Sequence, residues 1–128
     1  IQEFSIDQDI HILNLDLNKI RLKTFNNKFE KLSKFPSSRR DLSMIVDNNI
    51  KFEEIESIAF DLEGKILKDV VLFDEFKGKN ISDDKKSFAV SFTFNDSKKT
   101  LTDKIIDKIM TRFADAYKLE LGAIIRDK

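Results

Sequence analysis

Residues 87–94 alternate without a break: Phe88, Val90, Phe92 and Phe94 occupy every second position, and Ser87, Ala89, Ser91 and Thr93 lie between them. Successive side chains of a β-strand point to opposite faces, so this run builds one bulky apolar face and one small polar face. A helical period of 3.6 would scatter the same phenylalanines around a cylinder. The phenylalanine face must be core. The opposite face is expected to lie open to solvent or to a flat ligand.

The rest of the chain supplies partners for this strand. Residues 41–47, Asp-Leu-Ser-Met-Ile-Val-Asp, read as a strand with Leu42, Met44 and Val46 on one side. From Phe52 to Glu63 the period changes: Ile55, Ile58, Ala59 and Leu62 fall at helical spacing, with Gly64 expected as the C′ residue that ends the helix. Two strands are expected over Ile66–Lys77 and Lys86–Asn95, joined by a polar loop around Gly78–Asp84. Thr100 or Thr102 can cap a second helix with Asp103 in its first turn. That helix carries Ile106, Met110, Phe113 and Tyr117 on one stripe, flanked by Ile105 and Ile109, until Gly122 breaks the pattern before a short strand, Ala123–Arg126. The order is β-α-β-β-α-β, an α+β ferredoxin-like unit with two helices on one face of a four-stranded antiparallel sheet.

Residues 1–34 stand apart as an N-terminal extension. Phe4–Asp7 and Ile10–Leu17 alternate like strands, and Asn26-Asn27 marks a turn ahead of Lys34-Phe35-Pro36. The chain opens Ile1-Gln2-Glu3-Phe4, without Met and within a strand-like run, and is expected to be part of a larger protein. Lys+Arg and Asp+Glu both number 23, so any attraction to nucleic acid has to come from a local patch and not from a global field. The 12 Phe provide most of the bulk for a single modest core. The absence of Cys removes disulfides and thiolate chemistry and fits a cytoplasmic setting. Apolar runs are too short for a membrane span.

Five short signatures occur in order: Phe35-Pro36-x-x-Arg39-Arg40-Asp41-Leu42, Leu72-Phe73-Asp74-Glu75-Phe76-Lys77-Gly78, Lys85-Lys86-Ser87-Phe88-Ala89, Thr100-Leu101-Thr102-Asp103 and Leu121-Gly122-Ala123-Ile124-Ile125-Arg126. Together they resemble the ferredoxin-fold anticodon-binding domain that ends the beta subunit of bacterial phenylalanyl-tRNA synthetases. The resemblance implies that residues 35–128 form this domain and that residues 1–34 are the tail and linker of a preceding catalytic-like domain. It further implies a tRNA(Phe) anticodon loop as ligand and, for the parent enzyme, an α₂β₂ assembly with the synthetase alpha subunit that uses ATP and Mg²⁺ to attach phenylalanine to its tRNA. No cofactor is expected in this fragment, and no residue of it is assigned a catalytic role.

Side-chain parity points to one site. Leu72, Asp74 and Phe76 are expected on one side of their strand, beside the Ser87, Ala89 and Ser91 face, with Val71 and Phe73 on the core side. An aromatic ring is a stacking surface for a base, and a carboxylate accepts hydrogen bonds from the N1–H and N2–H₂ of guanine, which adenine does not offer together. The resemblance assigns recognition of the first anticodon base, a guanine, to Asp74 and Phe76, with Phe76 standing where the family usually has Tyr. Arg39, Arg40 and Arg126 suit phosphate through their planar forks, or brace the sheet by pairing with an aspartate. Lys77, Lys79, Lys85 and Lys86 surround the central loop, either steering RNA or simply solvated. The expected anticodon-binding set is Asp74, Phe76, Arg40, Ser87, Ala89 and Arg126.

Other chemistries find no support. His11 is the single histidine, which excludes a triad or a multi-histidine metal site within the chain, and three glycines cannot build a phosphate loop. Residues 86–92 resemble an RNA-recognition box only faintly, because their phenylalanines belong to the core face. Two further classes share the topology. An amino-acid-sensing domain of the ACT type generally has a Gly in its first strand-to-helix turn, whereas here that turn is Asp47-Asn48-Asn49-Ile50-Lys51. A protein-interaction domain is the other.

Overall fold

The computed structural model describes residues 11–16, 33–78 and 81–126. The chain divides into two compact units, Ile1–Lys31 and Leu32–Lys128. In the first, residues 11–16 are exposed and form neither helix nor strand, in contrast to the strand expected over Ile10–Leu17. The strand expected at Phe4–Asp7 and the turn at Asn26-Asn27 lie outside the described residues, as does Lys79.

The second unit contains β1 (Ser38–Asp47), α1 (Phe52–Glu63), β2 (Leu67–Phe76), β3 (Lys85–Phe94), α2 (Asp103–Leu121) and β4 (Ile124–Arg126). The sheet order is β2-β3-β1-β4, every neighbouring pair antiparallel, so the expected ferredoxin-like α+β fold is the one observed. Helix α1 starts at Lys51, whose backbone N–H donates to Glu54 Oε1 at 2.8 Å, closing the first turn without a Ser or Thr cap. It buries Ile55 and Ala59, with Ile58 and Leu62 packed at the edge of the core. Gly64 ends it, as expected, and does so in a right-handed conformation (φ −67°). Helix α2 ends in a left-handed one: Gly122 has φ 61°, a region that strains any side chain with a Cβ, and Ala123 N–H closes on the Tyr117 carbonyl at 3.1 Å.

The core lies between the helices and one face of the sheet. Met44, Val46, Phe88, Val90, Phe92 and Phe94 are all buried there against Ile106, Ile109, Phe113 and Tyr117. Phe92 meets the Phe113 ring at 5.3 Å between centroids and the Tyr117 ring at 6.5 Å. Tyr117 keeps its hydroxyl satisfied by donating to the Ile55 carbonyl at 3.1 Å, which ties α2 to α1. Burial pushes its phenol pKa well up.

Candidate nucleic-acid interface

The face of the sheet away from the helices is organised in rows set by strand register. One row runs Phe76–Ser87–Ile45–Ile124 and the next Asp74–Ala89–Ser43–Arg126. Further along come Val71–Ser91–Asp41 and Asp69–Thr93–Arg39. Four neighbouring strands span roughly 14 Å at about 4.7–4.9 Å per step, so Asp74 and Arg126 face each other across a floor made only of Ala89 and Ser43. Small residues in the middle and a charge at each end make a shallow groove. A cavity of about 580 Å³ opens there, lined by the β1 run Arg39, Arg40, Asp41, Leu42 and Ser43 together with Phe73, Ala89 and Arg126.

A β-bulge corrects the expected parity of β2. Leu72 pairs with Val90 and Asp74 with Ala89, so Phe73 is an extra residue opposite a single step of β3. Before the bulge Leu72 points to the helix side and is partly buried, while Val71, opposite Ser91, is 43 % exposed on the open face. After it Asp74 and Phe76 take the open face, and Glu75 moves to the helix side with Lys86. Phe73 is neither core nor covered: it is 52 % exposed beside the groove, and the Arg39 guanidinium stands 5.9 Å from its ring centroid. Strict alternation carried through the bulge had put Val71 and Phe73 in the core and Leu72 beside Asp74. One inserted residue reverses it.

Phe76, 51 % exposed, pairs with Ser87 and lies over the backbone of Gly78. Ser87 and Ser91 are buried between their neighbours despite facing away from the core, and the Ser91 hydroxyl meets no hydrogen-bond partner among the described residues.

The expected arginines separate. Arg126 joins the groove. Arg40 pairs with Phe92 in the register and therefore stands on the helix side, where Nη2 meets Asp103 Oδ1 at 2.5 Å and Nε meets Asp107 Oδ1 at 3.7 Å. It braces α2 against β1 and is not brought together with Asp74 and Phe76. Arg39, absent from the expected set, is the arginine of the open face, with Nε 3.2 Å from Asp41 Oδ1. The lysines separate as well. Lys85 pairs with Asp47, whose carboxylate accepts its hydrogen bond and raises its pKa. Lys86 is buried on the helix side, 4.6 Å above the Phe88 ring and 3.8 Å from Glu75. Lys77 is exposed. Phe73 and Gly78 are the residues that sequence reasoning missed. The adjacent phenylalanine of Leu72-Phe73-Asp74 was visible, but nothing in it signals a bulge.

The ferredoxin-fold anticodon binding domain matches residues 33–126. This chain belongs to that family. Its match to the anticodon binding domain covers all six elements. The chain is also similar to phenylalanine–tRNA ligase beta subunits: 41 % identical over 128 residues to that of Bacteroides thetaiotaomicron, and 38 % over 128 residues to that of Bacteroides fragilis. It is 33 % identical over 126 residues to that of Clostridium acetobutylicum. Each alignment takes in 98 % of this chain and 16 % of the relative, so the chain spans about one sixth of the length of the proteins it resembles. Among the described residues, no helix of this anticodon binding domain is long and apolar enough to cross a membrane.

Proposed function

We propose that this chain binds the anticodon loop of the phenylalanine tRNA through the open face of its sheet. Asp74 would recognise guanine at the first anticodon position, and Phe76 would stack on that base. The observation that carries this reading is the register after the bulge: Asp74 opposite Ala89 and Phe76 opposite Ser87 put a carboxylate and an exposed ring side by side on one face, above small residues. A carboxylate aligned with the N1–H and N2–H₂ edge of guanine gains two acceptor contacts that adenine leaves unmade. The ring contributes stacking worth about 1–3 kcal/mol per base. Arg126, at the far end of the Asp74 row, would meet a backbone phosphate, and Ser87 and Ala89 would form the floor that lets a base lie flat. Arg40 would serve indirectly, by holding α2 to β1.

The similarity to ligase beta subunits supports the same reading for a larger protein. There the domain would help an ATP- and Mg²⁺-dependent enzyme attach phenylalanine to its tRNA in the cytoplasm, together with an alpha subunit in an α₂β₂ assembly. None of the residues of this chain would take part in that reaction chemically.

The exposed Val71, Phe73 and Ile124 favour a second reading, in which the face docks a protein. Asp74 and Arg126 flanking a small-residue floor suit a polar, flat ligand better. Titration with the phenylalanine tRNA anticodon stem-loop, its guanine-to-adenine variant and free phenylalanine separates these readings from each other and from amino-acid sensing. Preferential binding of the guanine stem-loop is the expected result. Equal binding of both stem-loops would remove base reading from Asp74.

A further inference from the structure

We infer that Phe73 and Arg39 form a second nucleotide position on the open face, which takes the base adjoining the one read by Asp74 between the Phe73 ring and the Arg39 guanidinium. The inference rests on the anticodon reading and extends it to residues that reading does not use.

The bulge places Phe73 and Asp74 together against Ala89, so a ring and a carboxylate occupy neighbouring places on the same face. Two bases joined by one phosphate need two such places. The first is served by Asp74 and Phe76. The second is the part of the 580 Å³ cavity beside Phe73 and Arg39, toward the Ser91 row and away from Phe76. An arginine fork and an aromatic ring are the two side-chain surfaces on which unpaired RNA bases stack. They face each other here across β3, with the guanidinium carbon 5.9 Å from the ring centroid. A base lying between them needs about 3.5–4.0 Å on each side, so Arg39 has to lift by only an ångström or two. Asp41 meets the guanidinium at one edge only, through Nε at 3.2 Å.

Ser91 provides an independent observation. It lies on β3 opposite Val71 and Asp41, in the row between those of Phe73 and Arg39, and is 4 % exposed. Its hydroxyl meets no hydrogen-bond partner among the described residues, an uncommon and costly state for a buried polar group. Once Arg39 lifts, a base edge or ribose hydroxyl inserted beneath the guanidinium enters the row next to Arg39, where Ser91 lies, and can satisfy that hydroxyl. In the free protein, then, the second position is closed by its own cation–aromatic contact, and RNA replaces that contact with a sandwich.

The test is an abasic scan of the phenylalanine tRNA anticodon stem-loop, one loop position at a time, against the chain and its Phe73→Ala, Phe73→Trp and Ser91→Ala variants. The wild type is expected to lose affinity on removal of the first anticodon base and of one adjoining base. Phe73→Ala should weaken the intact stem-loop by about fivefold or more and abolish the penalty at the adjoining position alone. Phe73→Trp should restore that penalty. Because Phe73 is half exposed, neither change threatens the fold. Ser91→Ala should raise the melting temperature of the free protein while weakening RNA binding, two opposite effects that a purely structural serine does not produce. If Phe73→Ala leaves every abasic penalty unchanged while the guanine preference persists, the second position is overturned and the Asp74 reading stands. If the wild type shows no guanine preference at all, the reading fails and this inference fails with it.

Discussion

The Phe76 ring rests on the backbone of Gly78: a Cβ built on that glycine would come within 2.7 Å of Phe76 Cε1 and closer still to Cζ. Real Cβ atoms do not approach so near, so the ring holds its place because residue 78 lacks a side chain. One side of the ring is thereby backed by the chain, and its orientation over Ser87 is set locally. Gly78→Ala is expected to push the ring aside and weaken stem-loop binding by up to the full stacking contribution of about 1–3 kcal/mol. Stability should change by no more than about 0.5 kcal/mol, as for other surface substitutions. Parallel binding and denaturant titrations of the variant test both halves. An unchanged affinity would mean that Phe76 does not stack.

Phe92 tests the core. It is fully buried between the sheet and the Phe113 and Tyr117 rings. Phe92→Ala is expected to cost about 3–5 kcal/mol, as large aromatic truncations in packed interiors do. Set against roughly 5–15 kcal/mol for an ordinary domain, that loss can leave part of the population unfolded. A loss below about 1 kcal/mol in a urea titration would contradict the placement of Phe92.

Tyr117 makes stability depend on alkaline pH. Its phenol is raised by burial above the ordinary value of 10.0, while the unfolded chain titrates near that value. The unfolded state therefore releases the proton first, so stability is intact below pH 10.0 and falls as pH rises past it toward the folded value. Lys85, raised by its hydrogen bond to Asp47, contributes in the same direction from the surface. The chain holds one Tyr and no Trp, so tyrosinate absorbance follows this single group. Tyr117→Phe should lose the steeper part of the alkaline decline and, by removing the hydrogen bond to the Ile55 carbonyl, which keeps its own partner within α1, cost about 0.5–1.5 kcal/mol at neutral pH.

Arg40 gives a prediction of the opposite kind. Its contacts with Asp103 and Asp107 are at the surface end of α2, where such pairs contribute about 0–1 kcal/mol. Arg40→Met should lower stability by that amount and leave the guanine preference untouched. A lost preference would return Arg40 to the binding site.

Much of this arrangement was legible in the sequence, because it depends on period. The alternation of residues 87–94 identified the buried face of β3, and helical spacing identified Ile55, Ala59, Ile106, Phe113 and Tyr117. Placing Asp74 and Phe76 beside Ser87 and Ala89 also came out as read, although the parity argument behind it failed one step upstream. The bulge at Phe73 is a property of pairing between two strands, and no periodicity within either strand reports it. Arg40 was misjudged for a related reason: its partners lie 63 and 67 positions further along the chain, in α2, and only the packed fold brings them near. The contact between Phe76 and Gly78 depends on how the chain bends after β2, which a lone glycine does not specify.

The most direct measurement of the central claim is the ratio of affinities for guanine and adenine at the first anticodon position, in the wild type, Asp74→Asn and Phe76→Tyr. A carboxylate accepts from both guanine donors, whereas an amide turns one of those contacts into a clash of donors. Asp74→Asn should therefore reduce the ratio more than it reduces overall affinity. Phe76→Tyr, which keeps the ring, should leave the ratio and the affinity unchanged or slightly higher. A wild-type ratio near one, or an Asp74→Asn variant with the full wild-type ratio, would contradict the assignment of base reading to Asp74.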